Sequence, residues 1–254
     1  MGHIRIGRLP KSRQWSEIVD LIGNEQAEVS DVARAVVEAA RSAYESAGAD
    51  PGIVESVRIM AELAVAARSK NFEDSLRNSG YRVEVETDAI SFLDDVFREA
   101  DRRIGRVEDR TIFTEFASVA LREALTEVVS AQSGTLFTSG LDDVQAAYRA
   151  FSTQRGFAKL SRSFFSKVLS RSLRYFTDHE ASNLLGSGRL ANQDALHEFN
   201  RAIDGYAYEA ARIVEEFGGA WYSKRSWLED TGERAGGFTA VAMRKLSDEL
   251  AQAQ

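Results

Sequence analysis

The chain has 254 residues, of which 44% are hydrophobic and 28% charged, and this composition is typical of a folded globular protein. It contains no cysteine, which excludes disulfides, thiolate catalysis and cysteine-ligated metal sites. Its net charge of −7 argues against the uniformly basic surface that most nucleic-acid-binding domains have. It is compatible with a single basic groove.

The first seventy residues predict three amphipathic helices after a short extended arm or edge strand at residues 2–10. Gly23 is placed to end the first helix in a left-handed conformation. Ser30 is placed to cap the second helix, and Asp50 to cap the third, with Pro51 at its first position.

Residues 81–86 have the clearest strand-like alternation, because apolar side chains alternate there with Arg and Glu. A single strand has no sheet to join, so we expect at most a small β element. Thr87 or Asp88 is placed to start one further helix, and Asp109 to cap another.

The stretch GTLFTSG at residues 134–140 is the sharpest change of composition in the chain. We interpret it as a boundary between an N-terminal helical half, residues 1–133, and a C-terminal half, residues 134–254. Short loops between amphipathic helices predict antiparallel packing within each half.

The segment at residues 151–176, here called the basic helix, differs in charge from everything around it. No Asp or Glu occurs from Val144 to Thr177, whereas the rest of the chain is strongly acidic. Helical spacing places aromatic and aliphatic residues on one side and six cations on the other. These cations are Arg155, Lys159, Arg162, Lys167, Arg171 and Arg174.

Such a surface could neutralise the phosphates of a nucleic acid, contact an acidic protein, or lie on an anionic bilayer. The structural alternative is that the cations pair with acidic helices of the same chain or of a partner subunit. Leu173 falls on the cationic side and favours burial of part of that face.

At the end of the basic helix, Arg174 is followed five residues later by His179, in the stretch RYFTDH. This R-x4-H spacing resembles the motif of HEPN-type ribonucleases, which are all-helical and pair Arg with His at a dimer interface or in a tandem repeat. The resemblance implies that Arg174 binds phosphate and that His179 does acid–base or orienting work on a 2′-hydroxyl. Tyr175 stands where the family often has a polar residue.

The same region carries Thr177-x-x-Glu180, the pattern of a capping box, which predicts that one helix stops at Thr177 and another begins. Further on, Asn192 is placed to cap a long helix, and Gly218-Gly219 to interrupt it.

A cluster of aromatic and cationic residues follows the double glycine and includes Trp221, Tyr222, Arg225 and Trp227. Exposed, it could stack on bases or anchor a protein partner. The alternative is that the rings pack on the core.

Two other patterns do not support a cofactor or metal site. The spacing Gly186-x-Gly188 lacks the preceding strand of a dinucleotide-binding turn. His197 and its acidic neighbours lack the Glu-x-x-His pairs of a di-iron bundle. We therefore expect neither a metal nor a cofactor.

The sequence thus predicts an all-α protein of about nine or ten helices in two packed halves. The absence of a signal-peptide core and the excess of Arg over Lys indicate a cytoplasmic bacterial protein. The first functional hypothesis is a non-catalytic binding subunit of a multi-protein assembly, which uses the basic helix to contact nucleic acid or an acidic protein, its partners being other subunits or a second copy of itself. A HEPN-like ribonuclease and a peripheral membrane effector are the alternatives.

Overall fold

A computed structural model describes residues 13–82, 88–132, 140–222 and 231–252. Within these ranges the chain forms twelve α-helices and no β-strand, which confirms the predicted all-α fold. The count exceeds the expected one partly because two helices are only seven residues long. The helices are α1 (Arg13–Gly23), α2 (Val29–Ala39), α3 (Arg41–Ala47), α4 (Pro51–Ala66), α5 (Phe72–Asn78), α6 (Ala89–Ile104), α7 (Ile112–Gln132), α8 (Leu141–Phe151), α9 (Gln154–Asn183), α10 (Gln193–Ala210), α11 (Arg212–Tyr222) and α12 (Thr231–Gln252).

Three predicted features fall partly or wholly outside the described residues. These are the N-terminal arm, most of the predicted β element at residues 81–86, and nearly all of the boundary stretch at residues 134–140. Buried side chains from both predicted halves belong to one continuous hydrophobic core, and α4 packs against both α7 and α12. The division into two halves stays a prediction.

Residues 154–176 of the basic helix form the N-terminal and middle part of α9, a 30-residue helix at the centre of the fold. The predicted start is wrong, because Phe151 ends α8 and Thr153 caps α9. Helix α9 packs most extensively against α7, α10 and α11. Phe157, Phe164 and Phe165 on its apolar side are completely buried. Leu173 is also buried, at 1% exposure, as its place on the cationic side led us to expect. Because its apolar side is inside the core, α9 cannot present that side to a bilayer in the folded protein.

The predicted capping box at Thr177 is wrong, because α9 continues without a break to Asn183. The hydroxyl of Thr177 is buried and donates a hydrogen bond to the carbonyl oxygen of Leu173, at 3.0 Å, inside the helix. A threonine bonded back to the preceding turn does not cap a new helix.

Three of the predicted helix caps are confirmed. Asp50 caps α4 with one carboxylate oxygen, which accepts from the backbone N–H groups of Gly52 and Ile53, both at 2.9 Å. Asp88 caps α6 through the N–H of the residue three positions on, and Asn192 caps α10 in the same way.

Other terminus predictions are wrong in detail. The N-cap of α2 is Glu28 rather than Ser30, and its backbone N–H donates to the carboxylate of Asp31 at 3.2 Å. Asp109 does not start α7, and its positive φ of 55° belongs to the preceding turn. Gly23 does end α1, but its φ is not among the positive values that mark a left-handed cap.

The double glycine Gly218-Gly219 does not interrupt a helix but lies inside α11. A Cβ atom on Gly219 would lie 2.8 Å from the carbonyl oxygen of Gln154, and one on Gly218 would lie 3.4 Å from the Cα of Ala158. The two glycines therefore allow α11 to pack closely on α9. The break predicted here lies earlier, at Ala211 between α10 and α11.

Among the described residues, none of the helices is at once long enough and apolar enough to cross a membrane.

Candidate functional site

The cations of the basic helix are largely paired with acidic side chains of the same chain. The guanidinium of Arg162 donates to Glu215 at 3.0 Å and to Glu209 at 3.3 Å. It also lies over the ring of Tyr208, with its central carbon 4.0 Å from the ring centroid. The side chain of Arg162 is only 13% exposed, so this cation is a packing element of the α9–α10–α11 interface.

Three cations further along α9 each have one acidic partner on a neighbouring helix. The pairs are Lys167 with Glu127 on α7, Arg171 with Glu123 on α7, and Arg174 with Asp204 on α10. The structural alternative of intramolecular pairing therefore holds for Arg162 and these three. Arg155 and Lys159, in contrast, are exposed and form no ion pair with the described residues.

A sequence signal for two of these pairs exists but was missed. Glu123 and Glu127 lie four residues apart on α7, and Lys167 and Arg171 lie four residues apart on α9. In an antiparallel helix pair, equal spacing places both acids opposite both cations. The partner of Arg174, Asp204, carried no such signal, because nothing local shows which residues of α10 face α9.

Between α7, α9 and α10 the surface opens into a cavity of about 610 Å³, here called the charged groove. Its lining combines three cations, three carboxylates, three aromatic rings and two serines. They are Lys167, Arg171, Arg174, Glu123, Asp178, Asp204, Phe116, Tyr175, Tyr208, Ser166 and Ser170.

Both guanidinium groups in the charged groove have hydrogen-bonding capacity left over. Arg171 donates to Glu123 through Nη2, and Arg174 donates through Nη2 to Asp204 and to the carbonyl oxygen of Asn200, the latter at 3.1 Å. The Nε atoms of Arg171 and Arg174 are buried and have no acceptor among the described residues. The Nη1 atoms of both groups likewise have no acceptor among the described residues, and unlike the Nε atoms they are not buried. Because a guanidinium carries five N–H donors in a planar fork, each group can donate to a second anion through Nη1.

Two aromatic side chains are unusually exposed at the charged groove. Tyr175 is 38% exposed and Tyr208 is 48% exposed. The ring of Tyr175 meets that of Phe116 edge to face, with centroids 5.6 Å apart. It belongs to a closed circuit of ring contacts that includes Tyr44, Phe113, Phe116, Tyr175 and Phe176. The circuit holds Tyr175 in place while one part of it stays open to solvent.

The carboxylates limit which anions the charged groove can take. Asp204 accepts from the hydroxyl of Ser170 and from Arg174, so it is fixed in position. Partial burial raises the pKa of Asp178, and the nearby charge of Arg174 acts in the opposite direction. With equal numbers of cations and carboxylates in the lining, the groove is suited to one or two negative charges rather than to a dense run of them.

The two residues of the ribonuclease motif lie on one continuous helix. Five positions correspond to roughly 140° around the axis and about 7.5 Å along it, so Arg174 and His179 do not face the same side of α9. Arg174 is engaged with Asp204, and the side chain of His179 lies outside the described part of the chain. The structure does not bring the motif together within one chain.

The aromatic cluster after the double glycine is seen only in part. The ring of Tyr222 is buried and stacks on that of Phe157, with centroids 4.3 Å apart. Trp221 is half-buried and meets Phe238 edge to face at 5.8 Å. These two rings pack on the core, whereas Arg225 and Trp227 lie outside the described residues.

Among the described residues, no group of three or more His, Asp or Glu side chains is placed to hold a metal ion. Comparison of the chain with known protein families, with curated proteins and with solved structures gives no match.

Proposed function

We propose that the protein is a non-catalytic helical binding protein and that it holds an acidic segment of a protein partner in the charged groove. The observation that carries this proposal is the unused donor capacity of Arg171 and Arg174 beside two exposed tyrosines. Arginine and tyrosine are the residue types that contribute most to binding at protein interfaces.

The carboxylates favour a protein over a nucleic acid as the ligand. Glu123, Asp178 and Asp204 line the charged groove, and Glu127 lies beside Lys167. A phosphodiester backbone brings closely spaced charges and would meet these acids along its length. An acidic peptide can place single carboxylates opposite the two guanidinium edges and its apolar side chains against the tyrosine rings.

The wider setting that we propose is a cytoplasmic bacterial assembly in which this chain is a binding subunit. The arginine-rich composition supports a bacterial source. The burial of the apolar side of α9 argues against a role on a membrane surface.

The proposal is tested by fluorescence anisotropy with three labelled probes: a short peptide with two Glu residues flanked by Tyr, a matched peptide with Lys in place of both Glu, and a single-stranded RNA. We expect the Glu peptide to bind most tightly. The double variant Arg171→Gln/Arg174→Gln should weaken its binding about tenfold or more, because two charge-assisted contacts are lost. The control Arg98→Gln removes an exposed arginine of α6 that is not part of the charged groove, and it should leave the affinity for the Glu peptide unchanged.

Two results would overturn the proposal. One is equal binding of the Glu and Lys peptides, which would show that the charge of the ligand does not matter. The other is RNA binding that is tighter than peptide binding and is lost in the double variant, which would assign the charged groove to nucleic acid.

A further inference from the structure

A second cavity, of about 490 Å³, lies on another face of the molecule between α3 and α12, and is here called the apolar cleft. The two helices approach closely at one point, where a Cβ on Gly48 would lie 3.5 Å from the Cα of Ala240. Val37 and Tyr44 contribute buried side chains to its lining. Small residues at the contact leave space between the helices that larger side chains would fill.

The polar atoms in the apolar cleft are largely committed to the protein. The hydroxyl of Tyr44 shares a hydrogen bond of 2.8 Å with that of Ser172 on α9. The hydroxyl of Ser247 donates to the carbonyl oxygen of Met243 at 3.0 Å. A ligand that enters the cleft therefore gains by burying apolar surface rather than by hydrogen bonding to its interior.

Charged residues of both signs lie at the mouth. Arg41 on α3 and Arg244 on α12 stand on opposite walls, and both are exposed. Neither forms an ion pair with a described residue, although Glu45 and Asp248 follow them by four positions. Six arginines elsewhere do pair with acids three or four residues away: Arg34, Arg58, Arg77, Arg98, Arg102 and Arg212. The two guanidinium groups at the mouth thus have their full donor capacity free.

From this geometry we infer that the apolar cleft binds an amphipathic monocarboxylate, with its hydrocarbon body between α3 and α12 and its carboxylate between Arg41 and Arg244. A carboxylate matches the planar fork of a guanidinium. Glu38, Glu45 and Asp248 also line the cleft and outnumber its two guanidinium groups, so a ligand with several negative charges would be repelled. The single carboxylate must therefore lie directly against the arginines. This site is separate from the charged groove and does not depend on the function proposed for it.

The inference is tested by isothermal titration calorimetry of the full chain with decanoate, decanol and decylamine. We expect decanoate to bind most tightly and decylamine most weakly. Arg244→Gln should weaken decanoate binding about tenfold and leave decanol binding unchanged. Ala240→Phe should abolish the binding of both, because the new ring occupies the cleft from an exposed position.

Two controls separate loss of the site from loss of the fold. Ala251→Phe fills the other end of the cleft from an exposed position, and circular dichroism should show that both filled variants stay helical. Arg98→Gln and the double variant Arg171→Gln/Arg174→Gln should bind decanoate as the unmodified chain does. Binding of decylamine as tight as that of decanoate, or no effect of either filled variant, would overturn the inference.

Discussion

Replacing Asp50 with alanine should be among the most damaging single changes to this fold. The carboxylate is 1% exposed and accepts four hydrogen bonds. Two come from the first turn of α4, and two come from the hydroxyls of Thr111 and Thr114, at 2.6 and 2.9 Å. One side chain thus caps α4 and ties it to the start of α7.

The loss of unfolding free energy for Asp50→Ala can be estimated from the donors that lose their acceptor. Loss of a helix cap costs about 1 kcal/mol, and each buried donor left without an acceptor costs about 1–3 kcal/mol. The threonine hydroxyls can turn to other acceptors, so we expect about 4 kcal/mol for Asp50→Ala, a large part of the ~5–15 kcal/mol of a typical domain. Asp50→Asn keeps an acceptor for the two N–H groups and should cost about 1–2 kcal/mol.

Urea unfolding followed by circular dichroism measures these differences. The matched control is Asp88→Ala, which removes the cap of α6. Asp88 lies on the surface, and its main hydrogen-bond partner is one backbone N–H group. A loss of unfolding free energy for Asp50→Ala no larger than that for Asp88→Ala would contradict the proposed double role of Asp50.

Three further predictions concern packing and charge. Gly219→Ala should lower the melting temperature, because its Cβ would meet backbone of α9 at 2.8 Å, whereas Gly205→Ala, with nothing within 4 Å, should raise it. Arg103→Gln should lower the melting temperature far more than Arg98→Gln, because it removes the mostly buried cation between two partly buried glutamates of α4 and leaves them only the more exposed Arg58. Burial raises the pKa of the four tyrosines that lie in the core, that of Tyr222 to about 12, so the folded state keeps those protons to higher pH than the unfolded state does. Stability should therefore fall as the pH rises above 10.0, and the tyrosinate absorbance of these four rings should appear only as the chain unfolds. The four are Tyr44, Tyr81, Tyr148 and Tyr222, and stability that does not fall as the pH rises above 10.0 would contradict this prediction.

Local signals in the sequence were reliable where the physics is local. Asp50, Asp88 and Asn192 were identified as caps because a side chain that reaches the N–H two or three residues on needs no information from elsewhere. Thr177 met the same pattern and did not cap. Its neighbours on α9 are packed between other helices, and breaking the helix there would have exposed core residues on both sides.

The candidate site could be predicted only in part. The charge pattern located the basic helix, and Leu173 indicated that one side of it is buried. The pairing of Arg171 and Arg174 with acids on α7 and α10 depends on which helices are neighbours, which composition and periodicity do not specify. Likewise, Gly218-Gly219 looked like a break because the close approach of α9, which makes the glycines necessary, is a tertiary contact.

The most direct test of the charged groove is to observe the guanidinium groups themselves. Nuclear magnetic resonance of the arginine side chains resolves each Nε–H, and those of Arg171 and Arg174 are buried without an acceptor. On addition of the Glu and Tyr peptide, we expect these two resonances to shift together and with the same affinity as the anisotropy titration, while that of Arg98 stays in place. Binding of the peptide with the resonances of Arg171 and Arg174 unmoved would contradict the account.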